Sequence, residues 1–89
     1  MSNYKTSKQL LQQAVANVVK KHRLNRNKSL SKVSAEIMMT KSLWNDLEKG
    51  IKDPQLSTLW RVSEALDVPL EQIIVDIKKE LGSDFTLVD

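Results

Sequence analysis

The chain has 89 residues, no cysteine, and a formal net charge of only +3 at pH 7. We expect one small domain, because a second would not fit in this length, and the missing cysteine excludes disulfides, thiolate metal sites and a cysteine nucleophile. Two Gly, two Pro and few aromatic residues favour helices over a strand-rich fold, so we predict an all-α protein.

The charges are distributed unevenly along the chain. Residues 1–52 hold eleven Lys and Arg against three acidic residues, a net charge of +8, whereas residues 53–89 hold three basic and eight acidic residues, a net charge of −5. This asymmetry suggests that one part faces a polyanion, although a solvated basic surface without a partner has the same composition. With no signal-peptide core and no apolar run long enough to span a bilayer, we expect a cytoplasmic protein that contacts no membrane.

The first two predicted helices begin at residues that can cap them. Thr6 and Gln9 have the spacing of a capping box, and the apolar repeat that follows predicts a helix over about residues 7–24. A polar, turn-prone segment separates this helix from Ser29, which can cap a second helix barely two turns long. Its predicted inward residues are Val33, Ser34 and Ile37.

The third helix is predicted over about residues 41–49, between a cap and a stop. Thr40 can accept a hydrogen bond from the free N–H groups that open the helix, and Gly50 can end it in the left-handed conformation. Trp44 and Leu47, three residues apart, give it one buried edge. Helices two and three with the break between them have the pattern of a helix-turn-helix.

Two further helices complete the prediction. Leu59, Val62 and Leu66 mark the inward edge of the fourth, and Pro69 suits the first turn of a fifth. Gly82 closes the fifth helix. We therefore divide the chain into a flexible N-terminal segment over residues 1–6, a helix-turn-helix domain over residues 7–81 and a tail over residues 82–89.

Together these features resemble the Cro/repressor-like, or XRE-type, helix-turn-helix family over about residues 10 to 75. The strongest part is LEKG followed by DPQLSTL and EALDVPL at this spacing. Family members often have Gly at the position of Met38. A positive φ costs more free energy for Met than for Gly, so the sequence does not determine the conformation of this turn. The matching residues are Arg23, Ser29, Val33-Ser34, Thr40, Trp44, Leu47-Glu48-Lys49-Gly50, Pro54, Thr58-Leu59 and Ala65-Leu66-Asp67-Val68.

The resemblance implies a five-helix lambda-repressor-like domain that binds double-stranded DNA sequence-specifically and regulates transcription. It also implies that Arg23 and Glu48 pair across the base of the motif as a structural salt bridge. The third helix would lie in the major groove, where its first turn meets base edges. We expect readout by Lys41, Ser42, Leu43, Asn45 and Asp46, although a short polar helix can also simply be solvated.

Phosphate contacts are expected around that helix. Ser29 with Leu30, and Thr40, open helices whose free N–H groups and dipole favour an anion. The flanking lysines can add positive charge, although any one of them can be an ordinary surface lysine. These lysines are Lys28, Lys32, Lys49 and Lys52.

A homodimer on a palindromic operator is expected, because a single motif makes few base contacts. Candidate dimer residues lie on two apolar faces: Leu56 and Trp60 on helix four, and Ile74, Ile77 and Leu81 on helix five. Alternatively, both faces can be buried within one chain by a longer C-terminal helix. The C-terminal helix can also bind another protein. Short stand-alone members of this type resemble phage repressors, antitoxins and controller proteins of restriction-modification systems, and this resemblance implies a bacterial or phage origin.

Two rival functions remain open. An adaptor on the same fold would use the apolar faces to bind protein and would not bind DNA. RNA binding is the second rival function. It is less favoured because the aromatic residues Tyr4, Trp44, Trp60 and Phe85 are scattered along the chain and are not grouped for base stacking. We predict no enzyme, catalytic residue, metal site or cofactor, because the only histidine, His22, lacks a partner set for catalysis or metal binding.

Overall fold

The computed structural model describes residues 5–88, which contain five α-helices and no strand. This confirms the predicted all-α class with a helix-turn-helix at the second and third helices. The helices are α1 (Ser7–Asn25), α2 (Leu30–Glu36), α3 (Lys41–Glu48), α4 (Leu56–Leu66) and α5 (Leu70–Leu81).

Side-chain caps fix where the first three helices begin. Thr6 and Gln9 form the complete capping box at α1. The hydroxyl of Ser29 accepts the Lys32 N–H at 3.1 Å, and the hydroxyl of Thr40 accepts the Leu43 N–H at the same distance. Each cap satisfies a backbone donor that the helix leaves unpaired, and each helix begins at the predicted residue.

Left-handed residues follow the first four helices, beginning with Asn27, which has φ 54° after α1. Gly50 has φ 75° after α3, and Ile51 N–H donates to Asp46 C=O at 3.2 Å across the end of that helix. Met38 has φ 55° after α2 and Asp67 has φ 57° after α4. The α2–α3 turn therefore keeps the left-handed conformation although its residue is Met, whose side chain is exposed.

One predicted boundary is wrong by one position. Pro69 was expected in the first turn of the fifth helix, but it is the N-cap, with ψ 140°, and the helix begins at Leu70. The fixed φ of proline suits both positions, so the residue type alone does not separate them.

The core lies around α1, which packs against α3 and α4 and most extensively against α5. Trp44, Leu66 and Ile73 are among its fully buried side chains. The indole of Trp44 fills the space between α1 and the helix-turn-helix without exposing any surface. The small side chain of Ser34 is also buried in α2, and its hydroxyl donates to Leu30 C=O at 2.7 Å.

The inward face of α5 differs from the expected one. Ile77 was predicted to face outward as a dimer candidate, but it is 5 % exposed and belongs to the core. Leu81, another candidate, is half-buried against the same core. The reason is that residues 73, 77 and 81 follow one another at four-residue intervals, so all three turn toward α1, and only Ile74 of that predicted stripe stays accessible.

The two predicted terminal segments are only partly described. Residues 1–4, most of the predicted N-terminal segment and including Tyr4, lie outside the described residues, as does Asp89. Thr6 caps α1. Residues 82–88 form neither helix nor strand, and Phe85 is half-buried beside Leu11 and Leu81.

Candidate nucleic-acid interface

A buried ion pair holds α3 against α1. Arg23 Nε lies 2.6 Å from Glu48 Oε2, and Arg23 Nη2 lies 2.9 Å from Glu48 Oε1, so the guanidinium and carboxylate form a two-pronged fork. The two side chains are only 10 % and 6 % exposed. Arg23 Nη1 also donates to Lys28 C=O at 2.9 Å, which ties the start of the motif to the same guanidinium.

Trp44 adds a third donor to this carboxylate. Its indole N–H donates to Glu48 Oε2 at 2.6 Å, one turn away along α3. The hydrogen bond that Arg23 donates to Glu48 raises the pKa of Arg23 above its ordinary value, against the lowering effect of burial, so the guanidinium stays charged. The rotation of α3 about its own axis is thereby fixed from its inner side.

Fixing the inner side of α3 determines which residues it presents outward. Ser42, Asn45, Asp46 and Lys49 are spaced three and four residues apart, so they share the face opposite Trp44. Ser42 and Lys49 are exposed, whereas Asn45 and Asp46 are half-exposed. These four polar residues form what we call the α3 outer face.

Two predicted readout residues lie at the edges of this face. Lys41 is exposed in the first turn of α3. Leu43 points toward the loop before α4, where it lines a shallow pocket with Met39 and Pro54. Leu43 is 41 % exposed, so part of its side chain still reaches the surface. The structure therefore brings Lys41 next to the outer face and turns Leu43 away from its centre.

The starts of α2 and α3 offer backbone donors. Because Thr40 satisfies only the Leu43 N–H, the N–H groups of Lys41 and Ser42 have no partner within the helix. Ser29 leaves the first N–H groups of α2 in the same state. Both starts suit an anionic oxygen, and both predicted caps are exposed.

The lysines around the motif differ in whether they form ion pairs. Lys41, Lys49 and Lys52 are exposed and form no ion pair with residues 5–88. Lys32 lies 3.7 Å from Glu36, one turn along α2, in an exposed pair that costs little to break. These cations can reach a bound polyanion.

Lys28 does not fit the expected phosphate role. Its ammonium donates to Ala65 C=O at 2.7 Å and lies 3.1 Å from Glu36 and 3.4 Å from Asp67. The hydrogen bond with Glu36 is the main reason that the pKa of Lys28 is raised. This lysine joins α2 to the end of α4, so its charge is already compensated.

Leu30 also differs from its predicted role at the start of α2. Its side chain is half-buried and packs against the core. Only its backbone N–H remains available to an anion.

Sequence reasoning missed two contacts that hold the motif from outside. Gln12 Nε2 donates to Ile51 C=O at 3.2 Å, which fastens the segment after α3 to α1. Arg61 of α4 donates to Ile37 C=O, at the end of α2. Both join residues more than twenty positions apart, so no local spacing in the sequence signals them.

A second polar pair joins α1 to α5. His22 Nε2 lies 2.7 Å from Asp76 Oδ2, and this hydrogen bond, with a smaller contribution from Gln72, lowers the pKa of the Asp76 carboxyl. Within residues 5–88, no group of three or more His, Asp and Glu side chains is placed to hold a metal ion. In the same range, no helix has the length and apolarity needed to cross a membrane.

The geometry agrees with a known sequence family. The helix-turn-helix model called HTH_3 matches residues 19–73, more than half of the chain, and spans α2, α3 and α4. The chain belongs to the HTH_3 family. This confirms the resemblance to XRE-type helix-turn-helix proteins that the sequence motifs indicated. A comparison with curated proteins finds no significant match.

Two solved structures share the fold of this HTH_3 protein. The clp gene regulator ClgR from C. glutamicum has a TM-score of 0.77 at 17 % identity, over 81 % of this chain and 94 % of that chain. An HTH_3 family transcriptional regulator from Vibrio cholerae has a TM-score of 0.75 at 21 % identity, over 91 % of this chain. The match covers 46 % of the V. cholerae protein. At these identities the likeness shows the fold alone, and it confirms the predicted five-helix architecture.

Proposed function

We propose that this HTH_3 protein is a DNA-binding transcriptional regulator that reads double-stranded DNA in the major groove with α3. The observation that carries the proposal is the α3 outer face, whose polar side chains stand on a helix locked from behind by the Arg23–Glu48–Trp44 network. A helix held at a fixed rotation can present the same donors and acceptors to every site it meets. The family membership and the two regulators that share its fold support the proposal.

The outer face supplies different kinds of base contact. Ser42 can donate to or accept from several base edges, and Asn45 can make a two-pronged contact with adenine. Asp46 can accept from cytosine N4, and Lys41 and Lys49 can donate to guanine or to a phosphate. Leu43 contributes at most an apolar contact from the edge of the face.

Phosphate contacts would hold this helix in register. The unpaired backbone N–H groups that follow Ser29 and Thr40 can each bind one phosphate oxygen. Lys32 and Lys52 add positive charge beside them. Lys28 is left out because its ammonium is bound within the protein. This set is smaller than the one expected from the sequence, but it surrounds α3 on both sides.

We further propose that the protein acts as a homodimer on a palindromic operator near a promoter, as a repressor or autoregulator. One motif reads only a few base pairs, and a two-fold pair of motifs roughly doubles that number. Phage repressors, antitoxins and restriction-modification controllers are the types of regulator that such a small protein resembles.

The salt dependence of binding tests the proposal. The affinity of the protein for labelled duplex DNA, measured by fluorescence anisotropy, should fall steeply as salt rises, because each lysine–phosphate contact releases a counterion. Lys49→Ala and Lys52→Ala should each reduce the log–log slope by about 1. Lys79→Ala, a matched change on exposed α5, should leave the slope unchanged. A slope that is flat, or equal in all variants, would refute DNA binding through this face.

A second candidate function is a protein-binding adaptor on the same fold. It is favoured by the exposure of Leu56 and Trp60, which are 64 % and 55 % accessible on α4. An adaptor of this kind would show no salt-dependent affinity for duplex DNA, so the same titration separates the two functions.

A further inference from the structure

A shallow groove between α4 and α5 lies on the outside of the core. Its lining residues include Trp60, Leu70, Glu71, Ile74, Val75 and Lys78. Trp60 is 55 % exposed, Val75 42 % and Ile74 37 %, so three large apolar side chains meet water side by side. Contiguous apolar surface of this kind on a small protein marks a contact site.

The α5 side of this groove is a single helical stripe. Glu71, Ile74, Val75 and Lys78 are spaced at i, i+3, i+4 and i+7, which places them on one face of the helix. Ile73 and Ile77 lie on the neighbouring face and are buried against α1. The stripe is therefore the part of α5 that the fold itself does not cover.

The stripe is complementary in charge to a second copy of itself that runs antiparallel. If a second α5 packs antiparallel, with the two-fold axis between Ile74 and Val75, residue 71 of one chain faces residue 78 of the other. Glu71 then meets the partner's Lys78 at one end, and the same pair recurs at the other end. In the middle, Ile74 of each chain faces Val75 of the other. Opposite charges flank an apolar centre, as expected of an isologous interface.

We propose that this groove binds a second copy of the chain, through antiparallel packing of α5 with Glu71 and Lys78 as the paired charges. The proposal rests on the homodimer of the proposed function and replaces the dimer candidates Ile77 and Leu81 by Val75 and Lys78. Trp60 extends the contact from α4. The other acidic residues of the groove, Glu64 and Asp67, lie toward α4, and Asp67 already has Lys28 at 3.4 Å.

The size of the stripe sets the expected strength. A helix of 12 residues is about 18 Å long. One helix pair with a flanking Trp buries less than the roughly 1,200–2,000 Å² of a standard stable interface. We therefore expect a weak dimer in solution, with a Kd in roughly the micromolar range, that an operator with two half-sites strengthens by holding both chains close together.

Charge reversal tests both the surface and the register. Sedimentation equilibrium would be measured for the full chain, for Glu71→Lys, for Lys78→Glu, and for an equimolar mixture of these two variants. Each variant alone places like charges at both ends of the interface, so its Kd for self-association should rise at least about tenfold. In the mixture one chain offers two positive positions and the other two negative ones, so association should return to near the parent value.

Two controls keep the result interpretable. Lys79→Glu reverses the next charge on α5, outside the groove, and should associate like the parent. Melting curves by circular dichroism establish that every variant is folded, since both reversals also oppose the helix dipole. Parent-like association of either single variant, failure of the mixture to recover, or a parent chain that stays monomeric at roughly millimolar concentration would each overturn the proposal.

DNA measurements on the same variants separate the dimer proposal from the proposed function. Both single variants leave the α3 outer face intact, so they should bind one half-site with the salt dependence of the parent. Salt-dependent DNA binding without rescue in the mixture would remove only the α5 interface. Rescue in the mixture without DNA binding by any variant would support the interface and remove the regulator function.

Discussion

Replacing Glu48 by Ala should unfold this protein at a much lower temperature. The change leaves the Arg23 guanidinium, which is 10 % exposed, with only the Lys28 carbonyl as a partner, and it leaves the buried Trp44 N–H without an acceptor. Breaking a buried ion pair by removing one partner costs about 3–5 kcal/mol. We expect about 3 kcal/mol here, because Arg23 keeps one strong hydrogen bond.

The expected loss is large enough to measure directly. One kcal/mol lowers the melting temperature of a domain this small by about 4–8 °C, so Glu48→Ala should melt roughly 12–24 °C below the parent in a circular dichroism scan. Asp46→Ala is a matched control: it removes a carboxylate from the same helix that has no ion pair within residues 5–88. We expect it to change stability by no more than about 0.5 kcal/mol.

A double-mutant cycle separates the ion pair from other effects. Because Arg23→Ala and Glu48→Ala each strand a buried partner, the double variant should lose clearly less stability than the sum of the two single losses. A Glu48→Ala protein that melts with the parent while losing DNA affinity would refute the structural role of this carboxylate and assign it to DNA contact.

Three further changes test other parts of the fold. Met38→Gly should raise the free energy of unfolding, measured in urea, by up to about 1 kcal/mol, because φ is 55° there and the side chain is 93 % exposed; an unchanged urea midpoint would contradict a strained turn. Gly50→Ala should lower it by about 1–2 kcal/mol, because φ is 75° there; an unchanged urea midpoint would contradict this cost. The lowered pKa of Asp76, due mainly to its hydrogen bond with His22, means that the stability from this pair is complete above the ordinary carboxyl pKa and is lost as the pH falls through the lower folded-state value. Asp76→Asn should therefore lose stability relative to the parent at neutral pH, and this difference should shrink below about pH 4; a difference that does not change with pH would contradict the assignment.

Local chemistry made much of this fold predictable from the sequence. Thr6, Ser29 and Thr40 each supply a hydroxyl one position before a helix, and Gly50 supplies the left-handed residue after one, so boundaries depend on near neighbours alone. The inward positions of Trp44 and Leu47 follow from spacing in the same way.

Contacts between distant residues could not be read from the sequence. The role of Lys28 depends on Ala65 and Asp67, nearly forty positions away, because it is the approach of α4 that draws the ammonium out of solvent. The direction of α5 was mistaken for a similar reason. Residues 73–77 are apolar at nearly every position, so this pattern is compatible with more than one rotation of α5 about its axis. Only packing against α1 selects Ile73 and Ile77 as the inward pair.

Selection of binding sites from random duplex DNA tests the central claim most directly. The parent protein and the Lys41→Ala/Ser42→Ala double variant would be taken through the same rounds of selection, with melting curves to establish that both are folded. We predict that the parent enriches an inverted repeat and that the variant, whose α3 surface lacks both first-turn side chains, does not. Equal enrichment of the same sequence by both proteins, or no enrichment by the folded parent, would contradict readout by α3.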